Sequence, residues 1–124
     1  MAAIRFSSAH VWVQVEDSEA VLGLSDYLQD QMGEITSLDL PDIGDILRAR
    51  KRMGHVESEE ASSPIDSPLT GEVIDVNSEL IANPDLVNSD PYGSGWLVRV
   101  KIENPAELEE LISEEEYADL TTEV

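Results

Sequence analysis

The chain has no cysteine among its 124 residues. That removes disulfide staples, thiolate metal sites and cysteine nucleophiles together. It also suits a reducing compartment, and a cytoplasmic location is the expectation. Basic residues are scarce. Seven lysines and arginines stand against 27 acidic residues, for a net charge of −20. Such a field repels phosphate backbones and anionic lipid heads. Nucleic-acid and membrane-surface partners are therefore not expected, and protein partners with basic faces are favoured. His10 and His55 are the only imidazoles. Neither lies in an H-E-x-x-H pattern, so a zinc site has no ligand spacing behind it. Long apolar runs are missing too. No segment approaches the roughly 20 residues needed to cross a bilayer. The opening MAAIRFSSAH lacks the apolar stretch of a secretory leader.

What is present is enough to fold. Hydrophobic residues make up 41% of the chain, a globular rather than a disordered composition. The length suits one domain, 1–124, with one modest core. Val11, Val13 and Val15 alternate with Trp12, Gln14 and Glu16, the period of a strand with one buried face. A second strand is expected over Glu19 to Leu24, after an acidic turn. Ser25 then caps a short helix through Met32, and Gly33 ends it. Glu34 to Leu40 returns to strand with Thr36, Leu38 and Leu40 on one side. Pro41 to Asp45 turns on Gly44. Two short strands fit within Ile46 to Ser58, and Glu72 to Val76 forms another. Ser78 to Ala82 fits one helical turn, and Asn83 to Gly95 reads as a long loop. Trp96 to Ile102 alternates most clearly. Asn104 with Glu107, and Ser113 with Glu116, both have capping-box spacing, and Pro105 suits a first helical position. The pattern is mainly β, an antiparallel sandwich or barrel with short helices, two of them at the C-terminus.

Candidate chemistry is thin. Glu57, Glu59, Glu60 and Asp66 form the densest carboxylate set, but acid–base catalysis needs a pocket that shifts pKa values, and a hairpin tip supplies little desolvation. No calcium-loop spacing is present. No G-x-S-x-G elbow supports a serine nucleophile. Gly93-Ser94-Gly95 reads as a tight turn that places Trp96, not as a phosphate loop. Arg48, Arg50, Lys51 and Arg52 hold four of the seven positive charges. On a strand, Arg48, Arg50 and Arg52 would share a face and offer a docking patch. His55 is a further docking candidate.

The most telling stretch is VESEEASSPIDSPLTG, Val56 to Gly71. It reads as a hairpin with an exposed tip. Gly23-Leu24-Ser25-Asp26-Tyr27, Leu40-Pro41-Asp42-Ile43-Gly44 and Asp90-Pro91-Tyr92-Gly93-Ser94-Gly95-Trp96-Leu97 fall in order along the same chain. So do Asp30 to Ile35 and His10-Val11-Trp12. Together these resemble the glycine cleavage system H protein family, whose motifs run G-I-T-D-Y, L-P-x-x-G and D-P-Y-G-x-G-W-L. The resemblance implies a lipoyl-type barrel-sandwich hybrid. It also implies a carrier without a catalytic site, whose tip E-S-V-K-A-A-S presents lipoate on its lysine. In the same register this chain reads Glu57, Ser58, Glu59, Glu60, Ala61, Ser62, Ser63.

Glu60 therefore stands where the family has the lipoyl lysine, and a carboxylate cannot form the tethering amide. Glu59, Ser62, Pro64 and Asp66 depart from the pattern as well. Lys51 and Lys101, the only lysines, lack the family's context. No bound cofactor is expected. The first reading is an H-protein-like scaffold without lipoate, a binding or regulatory partner in glycine cleavage or lipoate-dependent metabolism. Its docking candidates are Glu57, Glu59, Glu60, His55, Arg48, Arg50 and Arg52, and its partners are glycine cleavage or lipoate-handling enzymes. A working lipoyl carrier that shuttles the aminomethyl group is the alternative, with an unrelated all-β enzyme the third reading.

Overall fold

Val11, Val13 and Val15 form the strand their alternation predicts, and it pairs at once with the next. The computed structural model describes residues 4–121. β1 (Ile4–Phe6), β2 (Val11–Glu16) and β3 (Glu19–Leu24) open the chain, followed by helix α1 (Asp26–Met32) and β4 (Ile35–Asp39). β5 (Ile46–Leu47), β6 (Arg52–Ser58), β7 (Ser62–Asp66) and β8 (Gly71–Val76) follow. The short helices α2 (Glu79–Ala82) and α3 (Leu86–Ser89) lead to β9 (Val98–Ile102). A 3-10 helix over Pro105–Glu110, β10 (Ile112–Ser113) and α4 (Glu114–Thr121) complete it.

The strands form two sheets. One runs β10-β1-β2-β3-β9-β8-β5 and the other β4-β6-β7. β2 and β3 are in register from Val11 opposite Leu24 to Glu16 opposite Glu19. Their two-residue turn puts Asp17 at φ 57°, the left-handed geometry that suits the twist of a tight hairpin. Ser25 caps α1 by accepting the Leu28 amide, and Gly33 ends it at φ 79°, a region where a side chain is strained.

The main core holds Val11, Val13, Leu22, Leu24, Val56, Ile65, Val73, Val98 and Val100, with Val15, Leu38 and Leu40 packed against it. β2 departs from the one-face expectation. Trp12 is also buried, in a second cluster with Phe6, Val21 and Tyr117. Successive strand residues face opposite sides, so this cluster covers the back of the large sheet. α4 makes it possible, because its Tyr117 ring stacks on Phe6 at 4.0 Å. The Trp12 indole donates to the Pro91 carbonyl at 2.9 Å. Gly23 clears the indole: a Cβ there would sit 2.4 Å from Trp12 Cε2.

Four local expectations are corrected. The Asn83–Gly95 loop contains α3. Asn104 makes no side-chain cap. Glu107 instead accepts from the Thr70 amide at 2.7 Å and its hydroxyl at 2.9 Å, which ties the 3-10 helix to the start of β8. Ser113 does cap, accepting the Glu116 amide at 3.2 Å. Arg48, Arg50 and Arg52 do not share a strand face. Only Arg52 lies in β6, and Arg50 takes φ 65° in the preceding turn. In β4 a bulge between Ile35 and Ser37 leaves Thr36 exposed and gives the core position to Ile35.

Candidate functional site: the β6–β7 hairpin

The hairpin is built on alternation. Val56 and Ile65 are fully buried and root it in the core. Glu57 points the other way and is exposed, as are Glu59, Glu60, Ala61 and Ser62 around the tip. His55 pairs with Pro64, Val56 with Ser63 and Glu57 with Ser62. β7 is an edge strand, where proline is tolerated because no neighbour needs its missing N–H. The tip is folded by Ser58. Its backbone amide donates to the Ala61 carbonyl at 2.8 Å, and its hydroxyl accepts the Ala61 amide at 3.1 Å and the Glu60 amide at 3.4 Å.

Glu60 leans over the end of α1. A methyl group built on Gly33 would lie 3.4 Å from Glu60 Oε2. Asn88 of α3 holds this corner together. Its amide donates to the Gln29 side chain at 2.8 Å and the Gly33 carbonyl at 2.9 Å, and its carbonyl accepts the Ile35 amide at 2.9 Å. One residue thus joins α1, α3 and β4 beneath the tip. Its partners lie more than 50 residues away in sequence, so no local pattern marked it.

The other end of α1 is fixed by a second network. Tyr117 Oη lies 2.6 Å from His10 Nδ1 and 2.7 Å from Ser25 Oγ. Burial lowers the His10 pKa and raises that of Tyr117, so both stay neutral near pH 7. With the Nε2–H tautomer of His10, Tyr117 donates to His10 and Ser25 donates to Tyr117, while Ser25 still accepts the Leu28 amide, and each of the three groups is satisfied.

The structure does not gather the docking candidates. Arg52 is opposite Asp66 at the base of the hairpin, about 20 Å along β6 from the tip. There its guanidinium donates to His55 Nδ1 at 2.8 Å and the Gly54 carbonyl at 3.3 Å. Arg50 pairs with Glu110 at 3.1 Å, both largely exposed, an interaction worth about 0–1 kcal/mol. Arg48 is exposed in the same turn. The acidic tip and the basic base are two surfaces. Among the described residues no set of three or more His, Asp or Glu is arranged to hold a metal, and no helix is long and apolar enough to cross a membrane.

Two uneven antiparallel sheets, a projecting hairpin and short covering helices define the class: a lipoyl-domain carrier fold. Residues 4–124 match the family described as "Glycine cleavage H-protein". The chain is 42% identical over 120 residues to the glycine cleavage system H protein of Carboxydothermus hydrogenoformans, covering 97% of this chain and 92% of that protein. It is 44% identical over 119 residues to that of Xanthobacter autotrophicus, covering 96% and 95%. A glycine cleavage system H protein from Mycobacterium marinum has the same fold, with a TM-score of 0.85, 24% identity and 97% of both chains covered. The chain belongs to the glycine cleavage H-protein family, whose members are carriers without catalytic activity of their own.

The family's cofactor requires an amine at the tip. The described tip offers only carboxylates and hydroxyls: Ser58, Glu59, Glu60, Ser62 and Ser63. Lys51 precedes β6 at the hairpin base. Lys101 lies in β9, opposite Glu19 on one side and Glu72 on the other. The tip does not fit amide-linked lipoate.

Proposed function

We propose that this chain is an H-protein-like scaffold that works without lipoate, as a binding or regulatory partner in glycine cleavage or lipoate-dependent metabolism of the cytoplasm. One observation carries the reading: Glu60 at the exposed turn between β6 and β7. A hairpin that keeps its fold but offers a carboxylate can still dock where a lipoylated tip docks. It cannot accept or hand over an aminomethyl group through a tethered arm. Its partners are glycine cleavage or lipoate-handling enzymes with basic faces, drawn by the −20 charge at salt-sensitive rates. The tip acids Glu57, Glu59 and Glu60 meet such a face. Arg48, Arg50, Arg52 and His55 form a separate contact at the hairpin base.

The test is an intact mass after co-expression with a lipoate ligase and added lipoate. An unchanged mass supports the scaffold. A gain of one lipoyl group, mapped to Lys51 or Lys101, overturns it and restores the carrier reading.

A further inference from the structure

Away from the hairpin, one face of α1 and one face of α4 lie on either side of a cleft of about 350 Å³. Phe6 and Tyr117, stacked in parallel at 4.0 Å, contribute to its lining and are almost wholly buried. Tyr27 and Tyr92 flank it with rings that remain over a third exposed, 36% and 40%. Asp26, Asp30 and Glu114 also line it, and no lysine, arginine or histidine does.

Among the described residues these carboxylates have no cationic partner. Asp26 accepts one hydrogen bond, from the Gln29 amide at 2.8 Å. Among the described residues, the side chains of Asp30 and Glu114 form no ion pair or hydrogen bond. Tyr92 receives the Asp26 backbone amide at 3.0 Å, which anchors its ring at the cleft wall. Burial, with the charges of Asp26 and Glu114, holds the Tyr92 phenol above its ordinary pKa. The negative field therefore reaches the ring. A cleft lined by four aromatic side chains, with acids at its rim and no cation among its described lining residues, is complementary to a cation with an aliphatic body. The rings attract the charge through their quadrupoles, and the carboxylates add a direct electrostatic pull. A hydrated metal ion would gain little from the rings, and an anion is excluded.

We propose that this cleft binds an organic ammonium group on an aliphatic stem, with the stem against Tyr27 and Tyr92 and the charge toward Asp26, Asp30 and Glu114. The source is either a free alkylamine or a lysine side chain of a partner. The proposal does not depend on whether the hairpin carries lipoate, because no residue of the β6–β7 hairpin lines the cleft.

The experiment titrates the full chain with trimethylpentylammonium chloride, followed by NMR shifts of the tyrosine rings. Neutral pentanol is the matched control. Short peptides with one central lysine or trimethyllysine form a second arm. Saturable binding of the ammonium, with pentanol at least about threefold weaker, is expected. The paired substitution Asp30→Asn and Glu114→Gln should weaken the ammonium about fivefold or more and leave pentanol unchanged. Glu72→Gln with Glu79→Gln removes the same charge elsewhere and should change little. Preference for the free ammonium identifies a small amine, and preference for a peptide identifies a partner lysine. Equal binding of pentanol, equal weakening by the distant pair, or no saturable shift would overturn the proposal. Near-UV circular dichroism of each variant confirms that the fold survives, and Tyr27→Leu provides a second variant with the charges untouched. It should weaken the ammonium about two- to fivefold.

Discussion

Replacing Tyr117 with phenylalanine removes one oxygen and leaves the stacked ring on Phe6 in place. That oxygen serves two partners, His10 at 2.6 Å and Ser25 at 2.7 Å. Ser25 is fully buried and loses its acceptor, while His10 loses its donor. An intramolecular hydrogen bond contributes about 0.5–1.5 kcal/mol, and an orphaned buried group costs about 1–3 kcal/mol. The half-buried His10 nitrogen regains water, so the total should be about 1–3 kcal/mol. For a chain of this size each kcal/mol lowers Tm by about 4 °C. The expected fall is therefore about 4–12 °C, read by circular dichroism melting at pH 7.5. A pH series adds a second reading. The folded pKa of His10 lies below its ordinary value of 6.5, so the unfolded chain takes up the proton first. The contribution of neutral His10 is complete above pH 6.5 and is lost as pH falls through the lower folded value. In Tyr117→Phe the freed nitrogen protonates more easily, so this part of the pH dependence should shrink between pH 7 and 5. A melting temperature within 1 °C of the parent, with an unchanged pH profile, would refute this network.

The remaining tests address the hairpin. Glu60→Lys alone should be lipoylated weakly by a lipoate ligase, because Glu59 and Pro64 still flank the site. Adding Glu59→Val and Pro64→Asp should raise the lipoylated fraction severalfold by intact mass, and a folded triple variant that stays unmodified would show that the tip has lost carrier geometry. At Gly54 a Cβ would meet the Asp39 carbonyl oxygen of β4 at 2.2 Å. Gly54→Ala should therefore force β4 and β6 apart at a cost of about 1–3 kcal/mol, seen as early loss of amide protection in that sheet; unchanged protection and stability would count against the packing.

The elements that were legible in the sequence are those whose signals are local. α1 is bracketed by Ser25 and Gly33, β3 by its acidic turn and Ser25, and β9 by its alternation. What escaped was decided by distant partners. Asn104 has the spacing of a cap, but Glu107 is drawn to Thr70, 37 residues back, and the segment closes as a 3-10 helix. Trp12 reads as the wet side of a strand because Pro91 and Tyr92, which meet its indole, arrive about 80 residues later. The arginine run alternates like a strand, yet Arg50 bends it with a positive φ. The tip was readable as a hairpin with Glu60 exposed. The clamp by Asn88 and the aromatic cleft were not, since each is assembled from segments that meet only in the folded chain.

The shape of the turn at Glu59 and Glu60 is written in Ser58, whose hydroxyl and amide close the loop without help from either acid. Form and chemistry are thus assigned to different residues, one position apart. Mutational drift at 59 and 60 meets no folding penalty from the turn itself, so such a loop can exchange one charge for another in a single step and remain a loop. The hairpin behaves as a socket whose fitting is interchangeable: the turn stands whichever side chains occupy positions 59 and 60.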